Sequence, residues 1–128
     1  MDDTIIRIKQ LKSIFYHLRY CDEILLAGDF NFGEKEAEEA IFSKNYQDVW
    51  FLLKPGQRGL TFNRELNELS DDNAFWFEKS RRLDRIYFSS DCLNANHIEL
   101  MGNQADKNGN MPSDHFAVLA TFFHKCPL

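Results

Sequence analysis

The sequence predicts one domain, or part of one, of the α/β (α+β) class. Two patterns support this class: one long stretch with helical periodicity, and three short apolar runs separated by polar loops. The chain has 128 residues, of which 44% are hydrophobic, so it can bury one core and is too short for two ordinary domains. Helices and strands are therefore expected to share that core.

The long periodic stretch covers residues 4–18. Its apolar residues Ile8, Leu11 and Phe15 recur every three or four positions, and its lysines lie mostly on the other side. This pattern predicts an amphipathic surface helix. Residues 34–42 are rich in strong helix formers and predict a second, acidic helix whose polar face is solvated.

The first apolar run, residues 24–27, predicts a strand covered on both faces, and Gly28 permits a close approach of the backbone to a neighbour. Asp29 and Asn31 follow at its carboxyl end. Because side chains alternate along an extended chain, these two residues are expected to point into one crevice, which suits a metal or a phosphate. The alternative is that both only cap the helix that follows.

The middle of the chain is less regular. Residues 46–53 are apolar, and their pattern leaves a short helix and a strand open. Residues 59–62 predict a short strand, and the polar residues 63–73 predict a loop. A loop of that length is uncommon in a compact domain unless it is functional.

Two further strands carry polar groups. Residues 82–88 predict a strand with Asp84 on an apolar face, where a carboxylate needs a partner. Residues 116–123 predict a central strand, with Asp114 and His115 at its entrance. Three strand ends thus supply carboxylates and one histidine, the groups that metal-assisted phosphoryl chemistry requires. For the Ser-Asp-His sequence, the alternative is an N-cap serine beside a solvated histidine.

Composition excludes several classes of protein. A formal net charge of −5 argues against affinity built on a broad basic patch, so any contact with nucleic acid should be local. The three cysteines, Cys21, Cys92 and Cys126, have no metal-binding or secreted disulfide pattern, which predicts reduced thiols. Without an apolar run of about 20 residues or a signal-peptide pattern, we expect no membrane contact and an intracellular location, in the nucleus and/or cytoplasm.

Three motifs carry a resemblance to a known family. GDFN at 28–31, RLDRI at 82–86 and SDH at 113–115 resemble the carboxyl-terminal motifs of the endonuclease/exonuclease/phosphatase (DNase I-like) superfamily of metal-dependent phosphodiesterases. Within it, the chain resembles the tyrosyl-DNA phosphodiesterase type 2 branch. The supporting features, in that branch's order, are DVW at 48–50, Lys54-Pro55, TFN at 61–63 followed by Asn67, and PSDH at 112–115.

The resemblance implies roles for the motif residues. Asp29 would orient or activate the attacking water and contribute to metal binding, and Asn31 would hold the scissile phosphate. His115 would stabilise the transition state or act as the acid/base, with Asp84 as its hydrogen-bond partner, and Asp114 would lie beside the metal.

Two further residues would flank the substrate. The resemblance places Thr61 and Phe62 beside the substrate groove, although Phe62 stands where the branch commonly has Trp. Base stacking tolerates this change. The implied cofactor is Mg²⁺, with Mn²⁺ as the other candidate, and the implied partner is nucleic acid, DNA rather than RNA. The finer expectation is hydrolysis of 5′-tyrosyl DNA linkages in DNA repair.

The resemblance also implies a fold and a missing part. The superfamily fold is a four-layer α/β/β/α sandwich, and residues 1–128 resemble the carboxyl-terminal portion of one such domain. We therefore expect half a sandwich, mainly one mixed or antiparallel sheet with covering helices, without the amino-terminal half that supplies an Asn and the principal metal-binding Glu. The uncovered sheet face should bind that missing half or a second copy of the chain.

Two functions from different classes follow. The first is an Mg²⁺-dependent phosphodiesterase or nuclease, of which this fragment alone is inactive. The second is a catalytically silent fragment or interaction module that keeps the family's fold. The complete set of three motifs favours the first, and the missing half favours present inactivity.

Overall fold

The computed structural model describes residues 3–42 and 44–125. Three helices, five strands and one 3-10 helix make up the fold in these residues. In chain order they are α1 Asp3–Leu18, β1 Ile24–Asp29, the 3-10 helix Ala37–Ile41, β2 Gln47–Asp48, α2 Val49–Leu53, α3 Glu68–Asn73, β3 Asp84–Ser89, β4 Leu93–Met101 and β5 Ala117–His124. No helix of the described part is long and apolar enough to cross a membrane.

The strands divide between two antiparallel sheets. One has three strands in the order β1-β3-β2, and the other is the hairpin of β4 and β5. The predicted α/β (α+β) class is confirmed, but the expectation of mainly one sheet is wrong. The apolar runs did not reveal this division, because local sequence does not record which strands pair.

The main core lies between the two sheets and α2. Val49 and Trp50 of α2, Phe88 of β3 and Ile98 of β4 are buried together. The rings of Phe88 and Phe122 join the sheets, with centroids 5.5 Å apart. Because β3 and β5 belong to facing sheets, this packing brings the last residue of β1 and the first residue of β3 close to the start of β5.

A second cluster covers the other face of β1 and β3. Phe42 stacks on Tyr87 with centroids 4.0 Å apart, and Phe15 of α1 packs edge-on against Phe42. Behind these rings, the buried Arg85 donates to Tyr87 at 2.9 Å and to Glu39 at 3.0 Å. Burial raises the pKa of the Tyr87 hydroxyl, which therefore stays neutral and can accept this bond.

The helix at residues 4–18 is confirmed, but two other segments differ from prediction. Residues 34–42 form only the short 3-10 helix, and Glu38 within it is buried rather than solvated, in an ion pair of 2.6 Å with Arg7. The open choice at residues 46–53 resolves into both elements, because β2 ends where Asp48 caps α2 by accepting from the N–H groups of Trp50 and Phe51.

Strand and loop predictions also need correction. Residues 59–62 form only an isolated bridge between Phe62 and Arg81, and the segment predicted as a loop contains α3. The strand β4 was not predicted from the sequence. A bulge between Ala95 and His97 interrupts the alternation of its apolar residues, which hid the strand pattern.

The cysteines follow the prediction only in part. Cys21 is a free thiol, whereas Cys92 is disulfide-bonded, so the prediction of reduced thiols is wrong for Cys92. Cys126 lies outside the described residues.

Candidate functional site

Two carboxylates and one imidazole meet where β1 ends and β3 begins. Asp29 and Asp84 are directly paired in the antiparallel register of these strands. His115 approaches from the loop before β5 of the other sheet. One ligand atom from each of the three side chains lies within 4.8 Å of the others. The partnership of Asp84 and His115 that the resemblance implies is thus present in the structure, with Asp29 beside it and with the residues supplied by two sheets.

Asp84 and His115 form a direct pair. The His115 Nδ1 atom lies 2.7 Å from Asp84 Oδ2, so the partner that Asp84 requires on its apolar face is present. Both side chains are about three-quarters buried, with 23% and 25% exposed respectively, which shields the pair without isolating it. Since the carboxylate engages Nδ1, the other ring nitrogen, Nε2, is the one that can meet a substrate.

Asp29 and Asn31 form a small unit of their own. The backbone N–H of Asn31 donates to Asp29 Oδ1 at 2.8 Å, and its side-chain amide donates to Oδ2 at 3.1 Å. Asn31 has a positive φ of 54°, which turns the chain immediately after β1. The two side chains therefore meet through a tight turn, and not through the strand alternation that their spacing predicted.

Thr61 holds two parts of the site in place through hydrogen bonds to the backbone. It is fully buried, and its hydroxyl accepts the backbone N–H groups of Leu83 and Asp84, both at 3.0 Å. Its carbonyl accepts from the N–H of Phe116, beside His115. A fully buried side chain cannot flank a groove, so Thr61 holds Asp84 and the His115 loop together rather than contacting a substrate.

Phe62 lies against the histidine. Its ring centroid is 5.5 Å from that of His115 at an interplanar angle of 60°, and the side chain is buried. An edge-on aromatic contact of this kind restricts the orientation of the imidazole. Phe62 therefore borders the site mainly through His115.

Asp114 is placed differently from the expectation. Its carboxylate accepts from Asn73 Nδ2 at 3.1 Å and is not part of the group formed by Asp29, Asp84 and His115. Its carbonyl accepts from the hydroxyl of the buried Ser70. In this structure Asp114 therefore fastens the histidine loop to α3 instead of joining the candidate metal ligands.

The way in which α3 holds the loop before His115 was not predicted from the sequence. Asn67 is fully buried and caps α3 by accepting from the N–H of Leu69, while its amide donates to the carbonyl of Ser113 at 2.9 Å. The hydroxyl of Ser113 in turn accepts the N–H of His115 at 3.1 Å. The sequence offered two signals for Asn67, its residue type, which favours an N-cap, and its place among the features that carry the family resemblance.

The side chains of Asp29, Asp84 and His115 only partly match the ligands that an oxygen-preferring cation needs. Asp29 is exposed, and each of its oxygens has spare acceptor capacity beyond the bonds from Asn31. Asp84 and His115 mainly satisfy each other. Mg²⁺ in proteins is commonly held by one or two carboxylates, with water and substrate phosphate completing its shell, and Asp29 fits that pattern.

Comparison with solved structures identifies the class of fold. The chain matches an endonuclease/exonuclease/phosphatase family protein from Bacteroides thetaiotaomicron with a TM-score of 0.65, at 17% identity, over 93% of this chain and 44% of that one. At this identity the likeness shows the fold, which is the α/β fold of that family. No family model matches the sequence.

More specific relatives agree with the branch indicated by the motifs. Tyrosyl-DNA phosphodiesterase 2 of Rattus norvegicus is 30% identical over 122 residues, which cover 90% of this chain and 32% of the relative. The crystal structure of D. rerio TDP2 complexed with a single-strand DNA product matches with a TM-score of 0.76 and 26% identity, over 96% of this chain and 52% of that one. The resemblance is confirmed, and the chain spans about a third of the length of the curated relative.

Proposed function

We propose that this chain is the carboxyl-terminal portion of a divalent-metal-dependent phosphodiesterase that acts on nucleic acid, DNA rather than RNA. The observation that carries the proposal is the bond of 2.7 Å between His115 and Asp84, beside Asp29. The similarity to tyrosyl-DNA phosphodiesterase 2 supports 5′-tyrosyl DNA as the substrate, DNA repair as the context and an intracellular location.

Each site residue has a distinct task in this reaction. Asp29 orients the attacking water, because its exposed carboxylate can accept a proton from it. Asn31 has two amide N–H donors, of which one serves Asp29, so the second can donate to a phosphate oxygen. Asp84 fixes the imidazole, and His115 uses Nε2 to stabilise charge on the phosphate or to pass a proton to the leaving group.

A divalent metal would add charge neutralisation at the phosphate. Asp29 would hold it, and the preference of Mg²⁺ for oxygen ligands makes Mg²⁺ the proposed ion, with Mn²⁺ as a substitute. Asp114 would need to leave Asn73 before it could contribute. The ligand set from this chain is therefore small, which agrees with the expectation that the family's principal Glu comes from an amino-terminal half.

The exposed surface of the sheets supports a partner for this chain. Leu25 of β1 is paired with the buried Phe88, so both project from the same face, yet Leu25 is 53% exposed. On β5, Leu119 and Phe123 are also exposed. We propose that the amino-terminal half of the domain covers these residues, and that without it the chain associates with itself and has no activity.

The alternative function is a catalytically silent interaction module. The same exposed residues would favour it, since a module needs only a binding face. The Asp84–His115 pair favours the enzyme, because a purely structural module has no need of an oriented imidazole that keeps a quarter of its surface exposed.

The test uses a fusion that we call the completed enzyme, in which the amino-terminal half of the D. rerio TDP2 domain precedes residues 1–128. We expect it to cleave 5′-tyrosyl DNA with Mg²⁺ or Mn²⁺, to lose activity with a chelator, and to regain it when metal returns. The 128-residue chain alone should not cleave. Absence of cleavage by a folded completed enzyme would favour the silent module.

A further inference from the structure

The outer face of α1 carries a stripe of six exposed residues. The first five recur every four or three positions, as on one side of a helix, and the sixth follows in the turn after Leu18. The six are Ile5, Lys9, Lys12, Tyr16, Arg19 and Tyr20. We call them the α1 stripe. Neither the family motifs nor the candidate site uses them.

The α1 stripe is positively charged on a chain that is otherwise acidic. Residues 4–21 contain four of the 15 lysines and arginines and no aspartate or glutamate, so the remaining 11 basic residues stand against all 20 acidic ones. Arg7 uses its charge in the pair with the buried Glu38. The other three cations, Lys9, Lys12 and Arg19, are exposed in the stripe. This face can therefore attract an anionic partner locally.

The stripe also exposes large apolar side chains. Ile5, Tyr16 and Tyr20 are 55%, 61% and 83% exposed. The guanidinium of Arg19 lies 3.8 Å from the ring centroid of Tyr16 and 4.3 Å from that of Tyr20, and it donates to the Tyr16 carbonyl. Stacking of this kind holds three long side chains in place before a partner arrives, which lowers the entropy that binding costs.

The other side of α1 is already occupied. Leu11 is buried, and the ring of Phe15 lies 5.2 Å from that of Phe42 and 4.9 Å from that of Tyr46, measured between centroids. The α1 stripe therefore faces away from the sheet that α1 covers. The exposed residues that we assign to the amino-terminal half belong to the strands, so the stripe is a separate surface.

We propose that the α1 stripe binds an acidic amphipathic helix of a partner protein. Spacing of four and three residues is the pattern at which two helices pack side by side. Ile5 and the two tyrosines would bury apolar side chains of the partner helix, and the three cations would pair with its carboxylates. Tyrosine and arginine contribute strongly at protein interfaces. Such a contact lies outside the phosphodiesterase function and does not depend on it.

Duplex DNA matches the α1 stripe less well. A phosphate backbone would engage Lys9, Lys12 and Arg19, but it would leave Ile5 and most of the ring surface in water. An acidic amphipathic helix uses both the cations and the apolar side chains, because its own surface combines carboxylates with an apolar stripe.

The test uses a labelled synthetic peptide whose leucines repeat at heptad spacing and are flanked by glutamates. Its control is a peptide of identical composition with the order scrambled. By fluorescence anisotropy, the completed enzyme should bind the helical peptide about tenfold more tightly than the scrambled one. Tyr16→Ala should weaken this binding by about fivefold or more, and Tyr16→Phe should leave it nearly unchanged.

Reversal of charge tests the cations of the stripe. The triple variant Lys9→Glu, Lys12→Glu and Arg19→Glu should lose the glutamate peptide and bind a version in which lysines replace the glutamates. The matched control is Lys107→Glu, at an exposed lysine in a loop, which should bind the glutamate peptide as the unaltered protein does. Circular dichroism on the same samples should show unchanged helix content.

Three results would overturn this inference. The first is equal affinity for the helical and scrambled peptides. The second is a triple variant that loses affinity for duplex DNA but keeps its affinity for the glutamate peptide. The third is peptide binding by the 128-residue chain but not by the completed enzyme, since the amino-terminal half would then cover the stripe. Cleavage of DNA enters none of these measurements, so the proposed function and this inference can fail separately.

Discussion

Two groups of similar side chains lie at opposite ends of the same strands. Asp29, Asp84 and His115 meet where β1 ends and β5 is about to begin, whereas Glu23, Cys92 and His124 meet before β1 and at the end of β5. Each group offers three atoms within 4.8 Å of one another. By composition and spacing alone, either could be a metal or catalytic site.

The two groups differ in what surrounds them. Around the Asp84–His115 pair, the buried residues Thr61, Asn67 and Ser70 all bond to the adjoining backbone. At the other end, Glu23 and His124 are 42% and 34% exposed and lie 3.2 Å apart. Cys92 is disulfide-bonded and cannot offer a thiolate.

This difference shows why a list of ligand atoms does not define a site. An oriented catalytic group needs neighbours that fix its position before the substrate arrives. The Asp84–His115 pair is held by buried side chains that bond the adjoining backbone, whereas the Glu23–His124 pair is more exposed, and the Ser90 hydroxyl donates to Glu23 there.

The largest effect is expected from the reacting groups. In the completed enzyme, Asp29→Asn and His115→Ala should each slow cleavage by about a hundredfold or more, since each removes a transition-state interaction. The control is His124→Ala, a histidine from the other group, which should retain full activity. Turnover and circular dichroism are measured on the same samples, so that a loss of catalysis is distinguished from a loss of folding. Normal turnover of His115→Ala would contradict the catalytic role of His115.

The next effect concerns the support under Asp84. Thr61→Val keeps the shape of the side chain but leaves the N–H groups of Leu83 and Asp84 without their acceptor. We expect a loss of about 1–3 kcal/mol in the free energy of unfolding, measured by urea denaturation. Thr121→Val is the matched control, because Thr121 is exposed and bonds only another exposed side chain, Asn96. Equal losses in both variants would show that Thr61 is not a special support.

A smaller effect is expected from the cap that joins α3 to the histidine loop. Asn67→Ala removes the N-cap and the bond to Ser113, and should cost about 1 kcal/mol or somewhat more of unfolding free energy. It should also change the NMR signals of the His115 ring more than those of His124. Asn108→Ala, in an exposed loop, serves as the control. Identical His115 signals in Asn67→Ala would contradict the proposed link.

The smallest effect is expected at the other group. Glu23→Gln removes the exposed ion pair with His124, and exposed pairs contribute at most about 1 kcal/mol. We therefore expect a change below that value in urea denaturation and no change in the activity of the completed enzyme. A loss of activity comparable to that of Asp29→Asn would mean that the two groups are not as different as their surroundings indicate.

The sequence by itself determined which residues carry chemistry and where the strongest elements lie. The helix at 4–18 and the strands around residues 24–27, 82–88 and 116–123 were predictable, because their periodicity is written in neighbouring residues. The need of Asp84 for a partner followed from its place on an apolar face. The motifs also indicated the family, which the comparisons bear out.

Only the tertiary structure decided how these residues are supported. Thr61 was expected beside a groove and instead bonds the backbone 22 and 23 residues further on, and Asn67 reaches Ser113 across 46 residues. The same holds for Asp114, which bonds Asn73 rather than joining Asp29. Such partners are chosen by how two sheets and a short helix pack in space, and periodicity within a segment contains no record of that packing.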